Sequence, residues 1–481
     1  MLETGALEKP VGRGQSTPAK KRSPSALVSK IRPTASRLGW GVIDQGVSSL
    51  TNFAVVLTVA RVLGAEQLGA FSLAYVTYGF ALNVSRSLAT DPLIVRFSNA
   101  NQAAWRRATA SCTGTAIVTG LVCGSLTVGA GFFLSGTSRE AFFGLGLMLP
   151  ALLLQDSWRF AFFALGEGKR ALINDTVWGI ALIPALLVVI RTGHKNVFWL
   201  LIAWGAGAAV AAAVGPWQAR VMPRVSDTWH WLSQHRDLGP RYIVENASGN
   251  VSSQGTTYGL SVILGLSTVG YLQAESTLLG PCTVILFGVS LAVVAEASRI
   301  LHRSPHRFVI FCISISIGMS LVCLCYGLAI EIALPLGVGH LVLPAIWRPT
   351  YPLILPATFV LLGSSAAAGA GAGLHALGAA KRSMAVGLIT SIAYLVSSIT
   401  GGLVDGAIGT LFFSAVVSWG NAVFIWLQFR AALRESRASR AQNILRGRHR
   451  RLATADQRRQ RSLRQTSTAA YPARHRVPPA Q

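Results

Sequence analysis

A chain of 481 residues that is 51% hydrophobic and only 13% charged, with a mean hydropathy of +0.48, is too apolar for a water-soluble domain. Its formal net charge of +25 points first to nucleic acid, but the charge sits at the ends. Residues 1–37 hold eight Lys/Arg against two acids and residues 430–481 hold fourteen Arg against two, so the tails carry 18 of the 25 charges. This placement is that of cytoplasmic flanks drawn to anionic lipid head groups, and it argues against nucleic acid as a partner.

In chain order, residues 1–37 read as a disordered basic cytoplasmic tail, short of the apolar residues that a core needs. A full-length apolar span follows it, rather than the short apolar stretch and small-residue cleavage site of a signal peptide. Windows without Asp, Glu, Lys or Arg then recur at Thr109–Ser138, Asn196–Ala219, Asn246–Ala274, Phe308–Ile330, Ser383–Val404 and Gly406–Phe429, each at or above the ~20 residues of a bilayer crossing. The runs are continuously apolar rather than alternating, which excludes a closed β-barrel. The expected architecture is all-α and polytopic, with about twelve transmembrane spans near 39–63, 69–91, 109–134, 141–165, 171–191, 196–217, 241–264, 269–298, 308–333, 351–376, 383–404 and 407–429. Residues 38–217 form a first six-helix bundle and 241–430 a second. Residues 218–240 are a cytoplasmic linker, whose Trp229 and Trp231 predict a short interfacial helix. Leu334–Thr350 reads as a loop or interfacial turn, and 431–481 as a disordered Arg-rich cytoplasmic tail.

Lys and Arg collect on alternate connections, as the positive-inside rule requires. With the N-terminus inside, the cytoplasmic loops hold fourteen of them and the outer loops four, or five with Arg61. Both termini are therefore expected in the cytoplasm. The chain also repeats itself. Asp44-Gln45 is echoed by Glu245-Asn246, and Leu63-Gly64-x3-Leu68-Gly69 by Leu264-Gly265-x3-Val269-Gly270, both 201 residues on. Ser87-Leu88-Ala89 with Arg96 is echoed by Ser290-Leu291-Ala292 with Arg299. Leu165-Gly166-x2-Lys169-Arg170 is echoed by Leu377-Gly378-x2-Lys381-Arg382. Four matches in one order indicate a duplication of six spans, and so two halves related by a pseudo-two-fold axis along the membrane normal.

Ionisable groups inside spans are costly, about 2.5–3.5 kcal/mol each on insertion scales, and mark candidate sites. Asp156 and Arg159, and likewise Glu296 and Arg299, are three apart on one helix face, where an ion pair within the helix is expected. Asp44 and Arg86 lie at similar depth on neighbouring spans, which predicts an interhelical pair. Asp91, Asp175 (beside Asn174) and Glu275 stand near span ends, where caps or interface solvation are at least as reasonable as a cavity role. The small residues of Gly363–Gly378 serve close helix packing or leave room beside a cavity, and His375 is an interfacial residue first. The six cysteines (Cys112, Cys123, Cys282, Cys312, Cys323, Cys325) lie in apolar segments without metal-ligand spacing or a disulfide framework, and read as packing residues. No catalytic, nucleotide-binding, cofactor or metal motif is present, so an enzyme or an ATP-driven pump is not expected.

The run Asp44-Gln45-Gly46-x-Ser48-Ser49-Leu50-Thr51-Asn52-Phe53, with Ala60-Arg61-x-Leu63-Gly64 and Gly69-x-Phe71, resembles the opening of bacterial polysaccharide transporters. These are the oligosaccharide (O-antigen-type) flippases of the multidrug/oligosaccharidyl-lipid/polysaccharide (MOP) superfamily. Leu152-Leu153-Leu154-Gln155-Asp156-x2-Arg159 with Asn174-Asp175, and His235-Arg236-Asp237-Leu238-Gly239-Pro240-Arg241, resemble later parts of the same family. The resemblance covers about 38–430 and neither tail. It implies a V of two bundles about a central cavity, and alternating access that moves a polyprenyl-diphosphate-linked oligosaccharide from the inner to the outer leaflet of the bacterial cytoplasmic membrane, in step with polysaccharide-assembly proteins. On that footing Arg86, Arg159 and Arg61 are candidate cavity cations for the diphosphate. Asp44, Glu245, Asp156 and Asp175 are candidates for coupling to H+ or Na+, or for bracing those arginines. A multidrug/cation antiporter of the same superfamily, a lipid II flippase and a non-transporting scaffold with lipid-binding tails are the alternatives.

Overall fold

The computed structural model describes the backbone of residues 24–98 and 100–468, and side chains over most of 43–436. Among the described residues every regular element is helical, as a lipid-exposed backbone that must satisfy its own hydrogen bonds requires. The first half comprises α1 (Pro24–Leu63), α2 (Ala65–Ser85), a π turn (Arg86–Thr90), α3 (Asp91–Phe97), α4 (Gln102–Gly131), α5 (Gly136–Leu165), α6 (Gly168–Arg191) and α7 (Val197–Ala219). The linker carries α8 (Thr228–Gln234). The second half follows with α9 (Gly239–Leu264), α10 (Leu266–Leu278), α11 (Gly280–Arg303), α12 (Pro305–Ala333), α13 (Gly339–Val342), α14 (Trp347–Ala376) and α15 (Ala380–Thr468). Nine helical stretches among the described residues are long and apolar enough to cross a membrane. One of them, Lys381–Ser436, has 56 residues and breaks at Asp405–Gly406. Its length of about 84 Å at 1.5 Å per residue is enough for two crossings of a ~30 Å hydrocarbon core.

Large apolar side chains such as Leu126, Phe133, Ile183, Val262, Ile317 and Val416 point outward and exposed. In water such a surface would be an aggregation liability, whereas lipid solvates it. This is a multi-pass membrane protein. Helix also extends into both basic tails, from Pro24 and as far as Thr468, where irregular chain was expected. The Ala, Arg, Leu and Gln of 431–468 are strong helix formers and continue the last span without a glycine or proline stop other than Gly447. Residues 1–23 and 469–481 lie outside the described residues.

The duplication is visible in the backbone. Gly64 and Gly265 end α1 and α9 with nearly the same dihedrals (φ 84°, ψ −177° and φ 82°, ψ 169°), a conformation that only glycine adopts at low cost. Gly166 and Gly378 close α5 and α14 left-handed at φ 78° and 70°. In each case the next amide reaches back to a carbonyl five residues earlier: Glu167 to Phe162 and Ala379 to Leu374, both 3.0 Å. The halves meet where α2 crosses α10, and the contact is reciprocal. A Cβ on Gly69 would stand 1.8 Å from the Leu266 carbonyl oxygen, and one on Gly270 2.0 Å from that of Ala65. Both pairs are related by the 201-residue offset. Ser72 Oγ donates to Gln273 Oε1 at 2.9 Å across the same offset, which places this pair beside the pseudo-two-fold axis, in the isologous manner of a symmetric dimer contact.

Aromatic packing holds the first half together. Trp204 meets Tyr78 edge-on at 5.0 Å, with Phe71, Tyr75 and Trp178 at about 6 Å around it. The same apolar cluster reaches Leu278, Leu343, Ile346 and Ile354 of the second half. On the linker, Trp229 is exposed while Trp231 is buried and donates Nε1–H to the Leu88 carbonyl at 3.0 Å. The short helix expected from the two tryptophans therefore forms as α8, but one of them is an anchor into the π turn rather than an interfacial group.

Candidate functional site

Five ionisable side chains lie within or bordering the apolar helices of the first half and form two ion-paired groups that meet on α5. Arg86, at the head of the π turn, grips Asp156 of α5 with both prongs, Nε to Oδ2 at 2.9 Å and Nη2 to Oδ1 at 2.7 Å. Arg159, one turn further along α5, reaches across to α1, donating Nε–H to Asp44 Oδ2 at 2.7 Å and Nη2–H to Gln45 Oε1 at 3.2 Å. Its Nε also lies 3.3 Å from Asp175 Oδ2 on α6. Gln155 donates to Asp175 Oδ1 at 2.8 Å and to Asn174 Oδ1 at 3.2 Å, and Asn174 Nδ2 continues to the Ala211 carbonyl and Gln218 of α7. The network thus ties α1, the π turn, α5, α6 and α7 together. Phe160 and Phe163 lie under the two guanidiniums, at 4.6 and 5.8 Å from ring centre to Cζ, a contact worth about 0.5–2 kcal/mol.

These pairings correct two expectations. Asp44 does not pair with Arg86, and Asp156 does not pair with its own helix neighbour Arg159. Arg86 keeps the α register of α2, its amide reaching the Leu82 carbonyl four residues back, and from that position its side chain meets α5 rather than α1; the π turn follows it. On α5, each member of the Asp156/Arg159 pair meets a better-placed partner on another helix. The exposed pair Glu296–Arg299 does form within its helix, at 3.1 Å.

Burial makes the network electrostatically consequential. Asp44, Asp156 and Asp175 are 0%, 4% and 2% exposed, and Asp44 Oδ1 has no hydrogen-bond donor among the described residues. Three carboxylates share two guanidiniums, which leaves one negative charge for a proton or a cation to offset. Removing one partner of such a buried pair strands the other, at a cost of about 3–5 kcal/mol. Arg86 differs from the rest: its side chain is 27% exposed, so one guanidinium keeps an open edge.

Arg61 lies elsewhere. It donates to the Leu341 carbonyl of α13, joining the ends of α1 and α13 and belonging to the contact between halves, not to the network. The side chain of Glu245 falls outside the described residues. Asp175 and Glu275, considered for caps or interfaces, are both buried, and Glu275 makes no side-chain hydrogen bond or ion pair among the described residues. Gln155 supplies the amide donor that fixes Asp175, and Asn174 accepts from Gln155 beside it.

Among the described residues, the second half shows no copy of the network. At the 212-residue offset that aligns Gly166 with Gly378, Asp156, Arg159 and Asp175 correspond to Ala368, Gly371 and Gly387. Ala368 and Gly371 instead line a cavity of about 750 Å³, with Thr283, Ser364, Ala372 and His375 among its walls. The small-residue stretch therefore makes room there as well as packing. Where the first half is cross-braced by charge, the second has small residues beside a cavity.

No family model matches the sequence, and no curated protein matches it. Solved structures do. The chain resembles the inward-facing conformation of a multidrug resistance MATE family transporter of the MOP superfamily, with TM-score 0.66 and 13% identity over 81% of this chain and 96% of that one. It also resembles the lipid II flippase MurJ in an inward closed conformation, with TM-score 0.61 and 12% identity over 82% and 89%. A MATE structure in the straight conformation gives 0.54 and 11% over 84% and 97%. The chain has the fold of the MOP-superfamily transporters. At these identities the likeness speaks for the fold.

Proposed function

We propose that this MOP-fold protein moves a lipid-linked oligosaccharide, a polyprenyl diphosphate sugar, from the inner to the outer leaflet of the bacterial cytoplasmic membrane by alternating access, with both termini in the cytoplasm. The observation that carries the reading is Arg86. It is held bidentate by Asp156 on one edge, backed by Phe160, and left open on the other, within an otherwise apolar fold. A diphosphate is bound by charge-assisted hydrogen bonds from such a planar donor, and a prenyl tail can stay in lipid while the head group moves. The polysaccharide-transporter-like opening and the basic loops and tails, suited to anionic lipid, support the same reading. Asp44, with one uncompensated oxygen against Arg159, is the proposed point of coupling to H+ or Na+. Glu245 is its proposed counterpart in the second half.

One observation favours a second reading. Each guanidinium of the network is already paired, and the carboxylates outnumber them, which suits a multidrug/cation antiporter better than an anion carrier. Reconstitution into liposomes separates the two. The first reading expects lectin-accessible lipid-linked glycan to rise on the outer face. The second expects efflux of a cationic dye driven by an H+ or Na+ gradient, with no glycan translocation. Failure of both with folded protein would leave a membrane scaffold.

A further inference from the structure

The six cysteines are not equivalent. Cys282 stands in the first turn of α11, immediately beyond the interruption between α10 and α11 at Leu279, and Cys323 lies well along α12. Both are 1% exposed, and their sulfurs are 2.7 Å apart. Unbonded heavy atoms pack at about 3.5–4.0 Å and a disulfide closes at about 2.05 Å. The two sulfurs therefore stand at reacting distance. Their surroundings hold them there: Ser365 Oγ of α14 donates to Cys323 Sγ at 3.2 Å, and Tyr326 Oη, one turn from Cys323, donates to the Leu278 carbonyl at 2.9 Å. That second bond ties α12 to the chain at the interruption itself, where Pro281 removes an amide donor. Leu286, Leu361 and Leu362 close the remainder of the site with apolar surface.

We propose that Cys282 and Cys323 are a redox modification site, forming an intramolecular disulfide that staples the interruption of α10/α11 to α12. Two S–H bonds break and one S–S bond forms. The two electrons and two protons pass to a lipid-soluble quinone, which leaves as the quinol. The dry position of the thiols selects an oxidant that partitions into the membrane over a water-soluble one. Cys112, Cys123, Cys312 and Cys325 have no sulfur partner of this kind among the described residues and stay as thiols.

The test is differential alkylation of the full-length protein in native membranes, with and without prior exposure to a short-chain quinone. Free thiols are capped with one maleimide during denaturation. The protein is then reduced, and newly released thiols are capped with an isotopically distinct one. After quinone treatment, peptides carrying Cys282 and Cys323 should bear the second label in equal and near-complete amounts, and the other four the first. In Cys282→Ser, Cys323 should revert to the first label, and the reverse in Cys323→Ser. First label on both residues of the wild-type protein after quinone treatment would overturn the proposal, and so would second label on Cys323 in Cys282→Ser.

Discussion

Arg159 shows how much one side chain can hold. It leaves α5 to neutralise acids on two other helices, so its loss strands Asp44 and Asp175 as buried charges without a cation. Arg159→Leu should lower stability by about 3–5 kcal/mol. Asp44→Asn in the same background should restore part of that loss, with an interaction energy in the range of about 0.5–3 kcal/mol expected of groups in contact. Asp44→Asn combined with Arg86→Leu should instead be near-additive, because these two residues have different partners. Thermal unfolding of the single and double variants in detergent measures both cycles. Coupling between Asp44 and Arg86 as large as that between Asp44 and Arg159 would refute the pairing. That charged groups within spans need partners was legible in the sequence, but Asp175, expected as readily at a cap or an interface, was not placed among them. Nor was it legible who pairs with whom. Spacing along one helix made Asp156–Arg159 look self-sufficient, and depth made Asp44–Arg86 look matched. The rotation of each helix about its own axis and the lateral neighbours of α5 decide both, and neither is encoded in a count of residues.

At the scale of elements, the α2–α10 crossing and the linker each allow a direct test. Ser72 and Gln273 face each other beside the axis at 2.9 Å, so Ser72→Cys with Gln273→Cys should cross-link efficiently through a short bifunctional reagent or an oxidant. A pair displaced by one residue, such as Leu73→Cys with Gln273→Cys, should do so poorly. Gly69→Val and Gly270→Val should each damage folding or assembly of the halves, because even a Cβ meets a backbone oxygen at about 2 Å. The duplication behind this symmetry was readable in the sequence from Gly64/Gly265 and Gly166/Gly378, whose special backbone forms demand glycine. The linker adds a pH dependence. His235 is packed on Trp231 at 4.1 Å, with Arg96 and Asp237 nearby. Burial lowers its affinity for a proton below the ordinary value of 6.5, against a smaller opposing effect of its contact with the Trp231 carbonyl. The undocked linker then binds more protons than the docked one. Docking is at full strength above about pH 6.5 and weakens as the pH falls below it. Protection factors across 228–238, corrected for the intrinsic pH dependence of exchange, should fall from pH 7 to pH 5 in the wild-type chain, and lose most of that response in His235→Asn. Equal acid sensitivity in both would remove His235 from the account.

For the whole molecule, the two halves share a plan but not a chemistry. The first is braced by five ionisable groups, while at the places of Asp156, Arg159 and Asp175 the second has Ala368, Gly371 and Gly387, the first two lining a cavity of about 750 Å³. The all-α polytopic class followed from uncharged windows longer than a bilayer crossing. The hollow in the second half did not, because a run of small residues packs helices as readily as it opens a cavity. The decisive measurement follows a defined lipid-linked oligosaccharide in proteoliposomes by lectin accessibility, with the wild-type chain beside Arg86→Ala and Arg86→Lys. The account predicts time-dependent exposure of glycan by the wild-type protein, at least a ten-fold loss in Arg86→Ala, and partial activity in Arg86→Lys, which keeps the charge but not the fork. Wild-type protein that exposes no glycan while expelling a cationic dye against an ion gradient would contradict it.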